Sequence, residues 1–518
     1  MCVKSIALKR LIGKKSWLCL TRSSSIGWFK VIFLYSIRQF LEVSSNLKYI
    51  LQTGRWLSVT VRQTICGLYQ IVMANANQIL FNFKLVAFIL LIKNNCTSQT
   101  GYFEGQITHQ DKCWNIALEF VTDRTGKSLV YCDFLEISAY RREFEMNSIG
   151  NKVVLLRKQP SPRVDLKFDG IYSQGTYSGT FDGIGIKEAG FIVKSAKKVE
   201  VKSYDLGWAN GDVKIAGTLL TPVGKGPYTT VIFTHGSNPE TRETYYGTAM
   251  KFVEQGIACL IYDKRGVGKS VGGDYRASGF TDFASDALAG LKLIKNRSDI
   301  DSKRIGIFGH SQGGWIAPVA AGMSKDIGFV LVSAASPVNA AEQSVYHRMQ
   351  VMKRAGFDSI VINKAACLRE NLNRATKLCA DQNNNSKSKR QEAIDAIEAV
   401  KSEPWFEAAA LPLGLSVDCP GASIMELLFS EPADMWAKVK VPVYLAWGDA
   451  DEVVPFQKKQ IIKNAMANAG NKNATEKIWP DVDHSIFVIN KKGEWDFPRE
   501  CKGYFDEMIR WVKNMYQK

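Results

Sequence analysis

Cysteine and histidine are both scarce in this chain of 518 residues, which holds eleven cysteines and five histidines. Eleven cysteines are too few for a disulfide-based scaffold, and there is no C-x-x-C pair to suggest zinc binding or thiol redox chemistry. The chain is too long for one compact domain, so we expect two or three folded units. A hydrophobic content of 46% and a charged content of 23% exclude a wholly disordered chain.

Acidic residues are nearly absent from residues 1–72, where Glu42 stands alone against eleven Lys and Arg. This segment supplies +10 of the net charge of +17, so the rest of the chain carries only +7. Such a small net positive charge does not predict a basic, nucleic-acid-binding surface on the folded part of the protein.

Residues 1–96 have the composition of a leader. The basic, acid-poor start is typical of a transit-type segment, and the uncharged apolar run 85–92 suits the h-region of a secretory signal. That run is too short to span a bilayer, which takes roughly 20 residues. We predict an over-extended reading frame, with synthesis starting near Met73 and an exported protein beginning after about residue 96. Membrane contact is expected only through an uncleaved leader.

Apolar and polar residues alternate with a period of two in residues 97–196, as in the run 114–120. Other strand-like runs are 129–137, 152–157 and 190–195. These short strands, separated by turn residues, predict a small antiparallel sandwich or barrel. Cys113 and Cys132 lie on neighbouring predicted strands, where a disulfide and two free thiols both remain open.

Strands alternate with helices in residues 197–518, which is typical of a parallel sheet flanked by helices. The predicted strands are 214–220, 229–234, 257–262, 305–308, 442–447 and 475–479, and the predicted helices include 246–255, 280–296 and 497–516. Between about 338 and 436 the pattern contains helices and a polar loop but no convincing strand. We therefore predict a helical insertion that covers the active site as a lid.

The clearest chemical signal is the segment 305–314, where an apolar strand leads directly into G-x-S-x-G and then a helix. Gly309 and Gly313 allow the strand and the helix to approach closely around a tight turn. The turn leaves the Ser311 hydroxyl projecting beside the helix N-terminus, where negative charge is stabilised. In this strand-to-helix context the motif predicts that Ser311 is a nucleophile.

A serine hydroxyl needs a base, which is usually an imidazole. His484 follows the last predicted strand and is the expected base. His347 falls in the helical insertion and His109 in the first domain, so neither is favoured.

An acid is also required to hold the imidazole in the correct tautomer. The segment 447–455 follows a predicted strand and offers three carboxylates, those of Asp449, Asp451 and Glu452. The residues alone leave all three open.

The oxyanion formed during acyl transfer needs backbone donors, each worth about 3–4 kcal/mol. One expected donor is the N–H of Gln312. The other should come from the loop after strand 229–234, where we predict the N–H of Ser237, with that of Gly236 as the alternative. His235, at the start of the loop, is expected to form structural hydrogen bonds.

These segments resemble the α/β-hydrolase superfamily, and its prolyl-oligopeptidase-like and dienelactone-hydrolase-like esterases in particular, from about Tyr204 to the C-terminus apart from the insertion. The matching motifs are HGSNP at 235–239 with Arg242, DKRGVGKSVG at 263–272, GHSQGG at 309–314, GDADEVVP at 448–455, and His484. The chain order Ser…Asp…His is also that of the superfamily.

The resemblance implies an α/β-hydrolase fold, with a mostly parallel doubly wound sheet, a helical lid and Asp451 as the acid. Asn238 stands where the family usually has glycine in the oxyanion loop. A β-rich domain before a lidded hydrolase resembles an arrangement found in exported bacterial esterases. Neither a cofactor nor a metal is implied.

The segment 266–270 looks like the end of a phosphate-binding P-loop. Asp263 occupies the position where that motif needs its first glycine, and Val271 breaks the alternative G-x-G-x-x-G pattern. We instead expect Asp263 and Arg265 to pair with each other and brace the glycine turn near the site.

The sequence therefore predicts a serine hydrolase that cleaves small-molecule carboxylic esters through an acyl-enzyme. Ser311 would act as nucleophile, His484 as base and Asp451 as the orienting acid. The alternatives are a prolyl-oligopeptidase-like peptidase, an acyltransferase or thioesterase, and an inert hydrolase fold that only binds.

Overall fold

A computed structural model describes residues 100–516, apart from 124, 161–163, 382–384 and 496–497. The predicted leader 1–96, with its h-region at 85–92, lies outside the described residues. Those that are described belong to one compact unit. None of the helices in this part of the chain is both long and apolar enough to cross a membrane.

The first part of the described chain is a closed antiparallel barrel. Its strands are β1 (Gly101–His109), β2 (Lys112–Thr122), β3 (Ser128–Phe134), β4 (Ala139–Ile149), β5 (Lys152–Arg157), β6 (Leu166–Ser173), β7 (Thr176–Gly183) and β8 (Ile186–Ser195). Strand β1 pairs with both β2 and β8, which closes the sheet on itself. Of the two predicted β architectures, the barrel is therefore the one observed.

Large side chains fill the inside of this barrel. Alternate residues of β2 point inward, and Trp114 and Phe120 are among the fully packed rings. Around Phe168, the rings of Phe181 and Phe191 lie at centroid distances of 4.7 and 5.1 Å. The period-two pattern in the sequence thus reflects the alternation of core and surface positions along each strand.

The second part is a mostly parallel eight-stranded sheet. Its strands are β9 (Val201–Asn210), β10 (Val213–Pro222), β11 (Tyr228–Thr234), β12 (Ala258–Tyr262), β13 (Ile300–His310), β14 (Phe329–Ser333), β15 (Val443–Gly448) and β16 (Ala474–Trp479). The spatial order is β16-β15-β14-β13-β11-β12-β10-β9, and β10 runs antiparallel to both of its neighbours, β9 and β12, whereas the other neighbouring pairs are parallel. Two strands, β9 and β14, were not predicted.

The helices of the second part cover the two faces of the sheet or belong to the segment between β14 and β15. They are α1 (Glu243–Glu254), α2 (Phe280–Ile294), α3 (Gly313–Met323), α4 (Ala340–Arg354), α5 (Ser359–Lys377), α6 (Ser386–Glu398), α7 (Phe406–Ala409), α8 (Ala422–Phe429), α9 (Pro432–Trp436), α10 (Gln460–Asn468) and α11 (Tyr504–Met515). One apolar cluster includes α2, α3, α9 and α10, and a second includes α1 and α11. This is the predicted doubly wound arrangement; the closing helix, expected over 497–516, begins at Tyr504.

Helices α4 to α9 lie between β14 and β15, where the sequence predicted a helical insertion. Part of this segment has its own apolar cluster, which includes Ile362, Ile397 and Trp405. A disulfide joins Cys379 to Cys419 across it, with the two Cα atoms 5.5 Å apart.

The disulfide expected as one option in the barrel is not formed. Cys113 is exposed and Cys132 is buried, and both thiols are free. In the barrel register Cys113 faces Thr108, whereas Cys132 faces Leu118, so the two residues are not cross-strand neighbours. The pairing alternative was therefore wrong.

The barrel contacts the sheet domain through helix α1 and the segment before α11. The ring of Tyr140 lies against Gly247, where an added Cβ would be 2.1 Å from a ring carbon. The backbone N–H of Glu500 donates to the carbonyl of Glu136 at 2.7 Å. Because Gly247 has no side chain, the ring of Tyr140 can pack directly against the backbone of helix α1.

We predict that Gly247→Val lowers the stability of this contact by about 1–3 kcal/mol, because the new methyl groups overlap Tyr140. Valine has a higher helix propensity than glycine, which by itself would stabilise helix α1 and so reduces the expected loss of stability. The measurement is the thermal unfolding midpoint compared with Thr244→Val, which is on the exposed surface of the same helix. A G247V protein as stable as T244V would contradict the prediction.

Candidate active site

Ser311 stands in a strained turn between the end of β13 and the start of α3. Its φ of +56° is in the left-handed region, which costs a residue other than glycine about 1–3 kcal/mol. A Cβ on Gly309 would lie 2.0 Å from the carbonyl oxygen of Gly313, and one on Gly313 would lie 2.9 Å from Thr234 Oγ1. The two glycines flanking Ser311 are what allow the chain to turn this tightly.

The structure brings Ser311, His484 and Asp451 together. Ser311 Oγ lies 2.9 Å from His484 Nε2, and His484 Nδ1 lies 2.8 Å from Asp451 Oδ2. The carboxylate can only accept, so Nδ1 carries a hydrogen and Nε2 is free to accept the hydroxyl proton. The other Asp451 oxygen accepts from the N–H groups of Val453 and Val454, at 2.7 and 2.9 Å. The imidazole is therefore held in the tautomer that a serine base requires.

The other two candidate acids have different partners. Asp449 accepts from the backbone N–H of Asp481 at 2.7 Å. Glu452 forms an ion pair with Arg354 at 2.7 Å. Of the three carboxylates that the sequence left open, Asp451 is the one that reaches the imidazole.

His310, which the sequence analysis left without a role, packs beside His484 with 5.2 Å between the ring centroids. Burial, together with the nearby His484, lowers the pKa of His310 to about 3, so the ring is neutral at ordinary pH. Its Nδ1 lies 3.2 Å from Ser333 Oγ, which lies 2.7 Å from the hydroxyl of Tyr504. Its position inside G-x-S-x-G, next to Ser311, was the feature of the sequence that could have pointed to it.

The expected oxyanion donors lie on two different segments. Gln312 directly follows Ser311 and is buried, whereas Ser237 is exposed in the loop after β11. The structure records no acceptor for either backbone N–H among the described residues. The N–H of Gly236 is already used, because it donates to Glu240 Oε2 at 2.7 Å. This favours Ser237 over its alternative, and the donor role of both residues stays a prediction.

His235 lies beneath this loop. Its Nε2 donates to the carbonyl oxygen of Tyr262 at 2.7 Å, and its ring meets the Tyr262 ring edge-on at 4.5 Å. Burial lowers the pKa of His235 to about 3. A neutral ring that hydrogen-bonds to the end of β12 fits the structural role that the sequence predicted.

Asp263 and Arg265 do not pair with each other, so that expectation was wrong. Asp263 receives two hydrogen bonds from the guanidinium of Arg242, both at 3.0 Å. Arg265 donates to both carboxylate oxygens of Asp286, at 2.8 and 2.9 Å, and also contacts Asp282. The reason is geometric: a partner on a neighbouring element can meet the guanidinium with both oxygens, which a residue two positions away in a tight turn cannot do.

Asp263 remains ionised in its buried position. Burial by itself would raise its pKa, but the hydrogen bonds from Arg242 and from the backbone outweigh burial and hold the pKa below its usual value. Lys264, the residue between the two, was given no role from the sequence and is only 1% exposed. Its position at the carboxyl end of a predicted strand, β12, could have pointed to it, because the other site residues also lie at the carboxyl ends of parallel strands.

A cavity of about 350 Å³ adjoins His484. Its lining includes His347 and Arg354 from α4, together with Glu452, Asp483 and Trp495. Asp483 accepts from Trp495 Nε1 at 2.7 Å. Within the described part of the chain, no group of three or more His, Cys, Asp and Glu side chains is placed to hold a metal ion.

A family model described as serine aminopeptidase, S33, matches residues 225–490, just over half of the chain. The chain belongs to this family. It is a hydrolase of the α/β-hydrolase superfamily, as the motifs implied, and the matched region includes Ser311, Asp451 and His484.

Two curated proteins similar to this hydrolase are a bacterial and a fungal enzyme. Esterase EstD from Thermotoga maritima is 25% identical over 405 residues, which are 73% of this chain and 83% of that protein. Thiohydrolase apmlB from Arthrinium phaeospermum is 30% identical over 146 residues, which are 28% of this chain and 44% of that protein.

Solved structures similar to this hydrolase include two esterases. An esterase from Pyrococcus furiosus has 20% identity and a TM-score of 0.36, covering 61% of this chain and 89% of that one. Acetyl xylan esterase 1 from a Thermoanaerobacterium species has 16% identity and a TM-score of 0.37, covering 62% and 86%.

We predict that Arg265→Met destabilises this hydrolase by about 3–5 kcal/mol, because it leaves the carboxylate of Asp286, which is 1% exposed, without its cation. The measurement is the shift of the thermal and urea unfolding midpoints. The matched control is Lys295→Met, which removes a partly exposed ion pair with Asp326 and should cost about 1 kcal/mol or less. Equal shifts in the two variants would count against a structural role for Arg265.

Proposed function

We propose that this hydrolase cleaves small-molecule carboxylic esters with Ser311 as nucleophile, His484 as general base and acid, and Asp451 as the orienting carboxylate. The supporting observation is the continuous chain of hydrogen bonds from Ser311 Oγ through the imidazole to Asp451, with distances of 2.9 and 2.8 Å. The similarity to esterase EstD, which extends over 405 residues, favours esters over other acyl substrates.

In the first half-reaction Ser311 Oγ attacks the ester carbonyl carbon while His484 Nε2 takes the hydroxyl proton. The carbonyl oxygen becomes an oxyanion, which the N–H groups of Gln312 and Ser237 stabilise. The intermediate collapses when His484 returns the proton to the alkoxy oxygen. The alcohol leaves, and the acyl group stays on Ser311.

In the second half-reaction a water molecule attacks the acyl-enzyme. His484 takes one proton from this water and returns it to Ser311 Oγ, and the carboxylic acid departs. The net change is the addition of one water across the ester bond. Asp451 accepts the hydrogen bond from His484 Nδ1 and stabilises the imidazolium that forms in each half-reaction.

We propose that the helical insertion serves as a lid over this site. Two contacts support the proposal: His347 Nδ1 donates to the carbonyl oxygen of Glu452 at 3.2 Å, and Arg354 pairs with the side chain of Glu452. Helix α4 thereby forms one wall of the cavity beside His484. Residues of the insertion would contact the part of the substrate that enters this cavity.

A serine peptidase is the second candidate, because the matching family is described by that activity. An aminopeptidase needs a carboxylate to receive the substrate's α-ammonium group. Glu452 and Asp483, the carboxylates in the cavity beside His484, are already bound to Arg354 and Trp495. Burial also raises the pKa of Asp483, which weakens it as an anion. These contacts favour the ester substrate.

We also propose that the protein is exported. The disulfide between Cys379 and Cys419 supports this, because disulfides persist in oxidising compartments. We predict that mass spectrometry of the native protein without reductant detects the linked peptides and a chain that begins after about residue 96. A native chain retaining residues 1–72, or free thiols at both positions, would contradict export.

We predict that Ser311→Ala abolishes hydrolysis of short-chain nitrophenyl esters and labelling by a fluorophosphonate. Asp451→Asn should lower kcat by about 10⁴-fold, because the imidazole loses its tautomer preference. Asp449→Asn is the matched control, since its carboxylate lies in the same segment but bonds to Asp481, and it should retain most activity. Labelling that persists in S311A would contradict the assignment of the nucleophile.

The ester and peptide candidates are separated by a substrate panel. We expect the wild-type protein to hydrolyse short- and medium-chain nitrophenyl esters with higher kcat/KM than chromogenic aminoacyl and proline-containing peptides. A higher kcat/KM for the peptides would favour the peptidase. A folded protein that is inert to both panels and to fluorophosphonate would favour a binding role.

A further inference from the structure

Lys264 lies at the carboxyl end of β12, buried to 99% and surrounded by polar atoms of the proposed oxyanion site. Its Nζ donates to the carbonyl oxygen of Gly236 at 2.7 Å and to Gln312 Oε1 at 3.0 Å. A third acceptor, the carbonyl oxygen of Asn238, lies at 3.3 Å. An ammonium group has three hydrogens, so these three acceptors match its full capacity.

We propose that Lys264 is a positioning residue that joins the two halves of the oxyanion site. One half is the loop that carries the Ser237 N–H, and the other is the residue that carries the Gln312 N–H. A single ammonium group binds both halves, so it sets the distance between the two donors. This inference rests on the proposed hydrolase mechanism and adds to it a residue that touches neither the substrate nor Ser311.

The direction of the Ser237 N–H follows from the bond to Gly236. In a trans peptide the C=O of one residue and the N–H of the next point in opposite directions. The peptide between Gly236 and Ser237 is trans. When Lys264 holds the Gly236 carbonyl, the Ser237 N–H is therefore turned away from the ammonium group. Asn238 replaces the usual glycine in this loop, and its carbonyl is held by the same cation.

The charge of Lys264 adds to this geometry. A cation bonded to a peptide oxygen polarises the peptide and makes its N–H a stronger donor. Burial lowers the pKa of Lys264 to about 8, with the nearby carboxylate of Glu240 acting in the opposite direction, so the ammonium form prevails at neutral pH. The ring of Phe283 lies 4.8 Å from Nζ and that of Tyr275 lies 5.3 Å from it, both within the range of a cation–π contact.

The test compares Lys264→Met with Lys269→Met, a lysine of the same glycine turn whose side chain is exposed. Removal of one oxyanion donor costs about 10²–10³-fold in kcat, so K264M should lose about 10²-fold in kcat with KM changed less than about threefold. K269M should match the wild type. Lys264→Arg, which keeps the charge in a larger group, should recover part of the loss.

A transition-state analogue separates positioning from a general structural effect. A trifluoromethyl ketone adds to the serine and places an oxyanion in the site, so its inhibition constant should rise in K264M by a factor close to the loss in kcat. Should K264M not fold, Gln312→Met removes only the side-chain tie and keeps the backbone N–H. It should lose about tenfold in both kcat and analogue affinity.

The inference is overturned if K264M, or Q312M in its place, keeps kcat and analogue affinity within about twofold of the wild type. It is also overturned if KM rises while kcat is unchanged, since that result places Lys264 in substrate binding. Wild-type protein without any S311A-sensitive hydrolysis would instead overturn the proposed function, and this inference with it.

Discussion

The site depends on the parallel alignment of neighbouring strands, which brings their carboxyl ends to one edge of the sheet. Strand β13 ends at His310 beside Ser311, and β15 and β16 lead to Asp451 and His484. Parallel pairing extends to the last residues of these strands, with Gly448 opposite Trp479. Residues 173 positions apart in sequence can therefore lie within hydrogen-bond distance.

Burial and contacts distinguish His484 from His235 and His310. His235 is buried and His310 is partly buried, and burial lowers the pKa of each to about 3. His484 instead has a carboxylate on one nitrogen and a hydroxyl on the other. His310, whose ring packs beside His484, is therefore neutral and adds no competing positive charge when the imidazolium forms.

The residues at the strand ends were predictable, because their motifs are local. The G-x-S-x-G turn needs glycine on either side of Ser311 for steric reasons that hold in any sequence of this kind. Strand β14 was missed although it is fully buried like β12 and β15, because it directly precedes the insertion, where the regular alternation of strands and helices stops. The partners of Asp263 and Arg265 could not be predicted, since Arg242 and Asp286 lie on elements whose packing is set by the whole domain.

Other features depend on pairings between distant parts of the chain. The disulfide links Cys379 and Cys419, which are 40 residues apart in a helical segment without a spacing motif. Closure of the barrel requires β1 to meet β8, and the same alternating strands could equally form a sandwich. Local periodicity determines which residues face a core, whereas strand order comes from contacts between residues far apart in sequence.

The aromatic packing within the barrel has a consequence for what the first domain can contribute. In lipocalins the interior of the β-barrel is wide enough to hold one small ligand. Here Trp114, Phe120 and Phe168 take up that space themselves, at exposures of 2% or less. The barrel therefore has no room inside for a ligand of that kind. Any contribution of this domain to the enzyme must come from its outer surface, through contacts with the sheet domain or with other molecules.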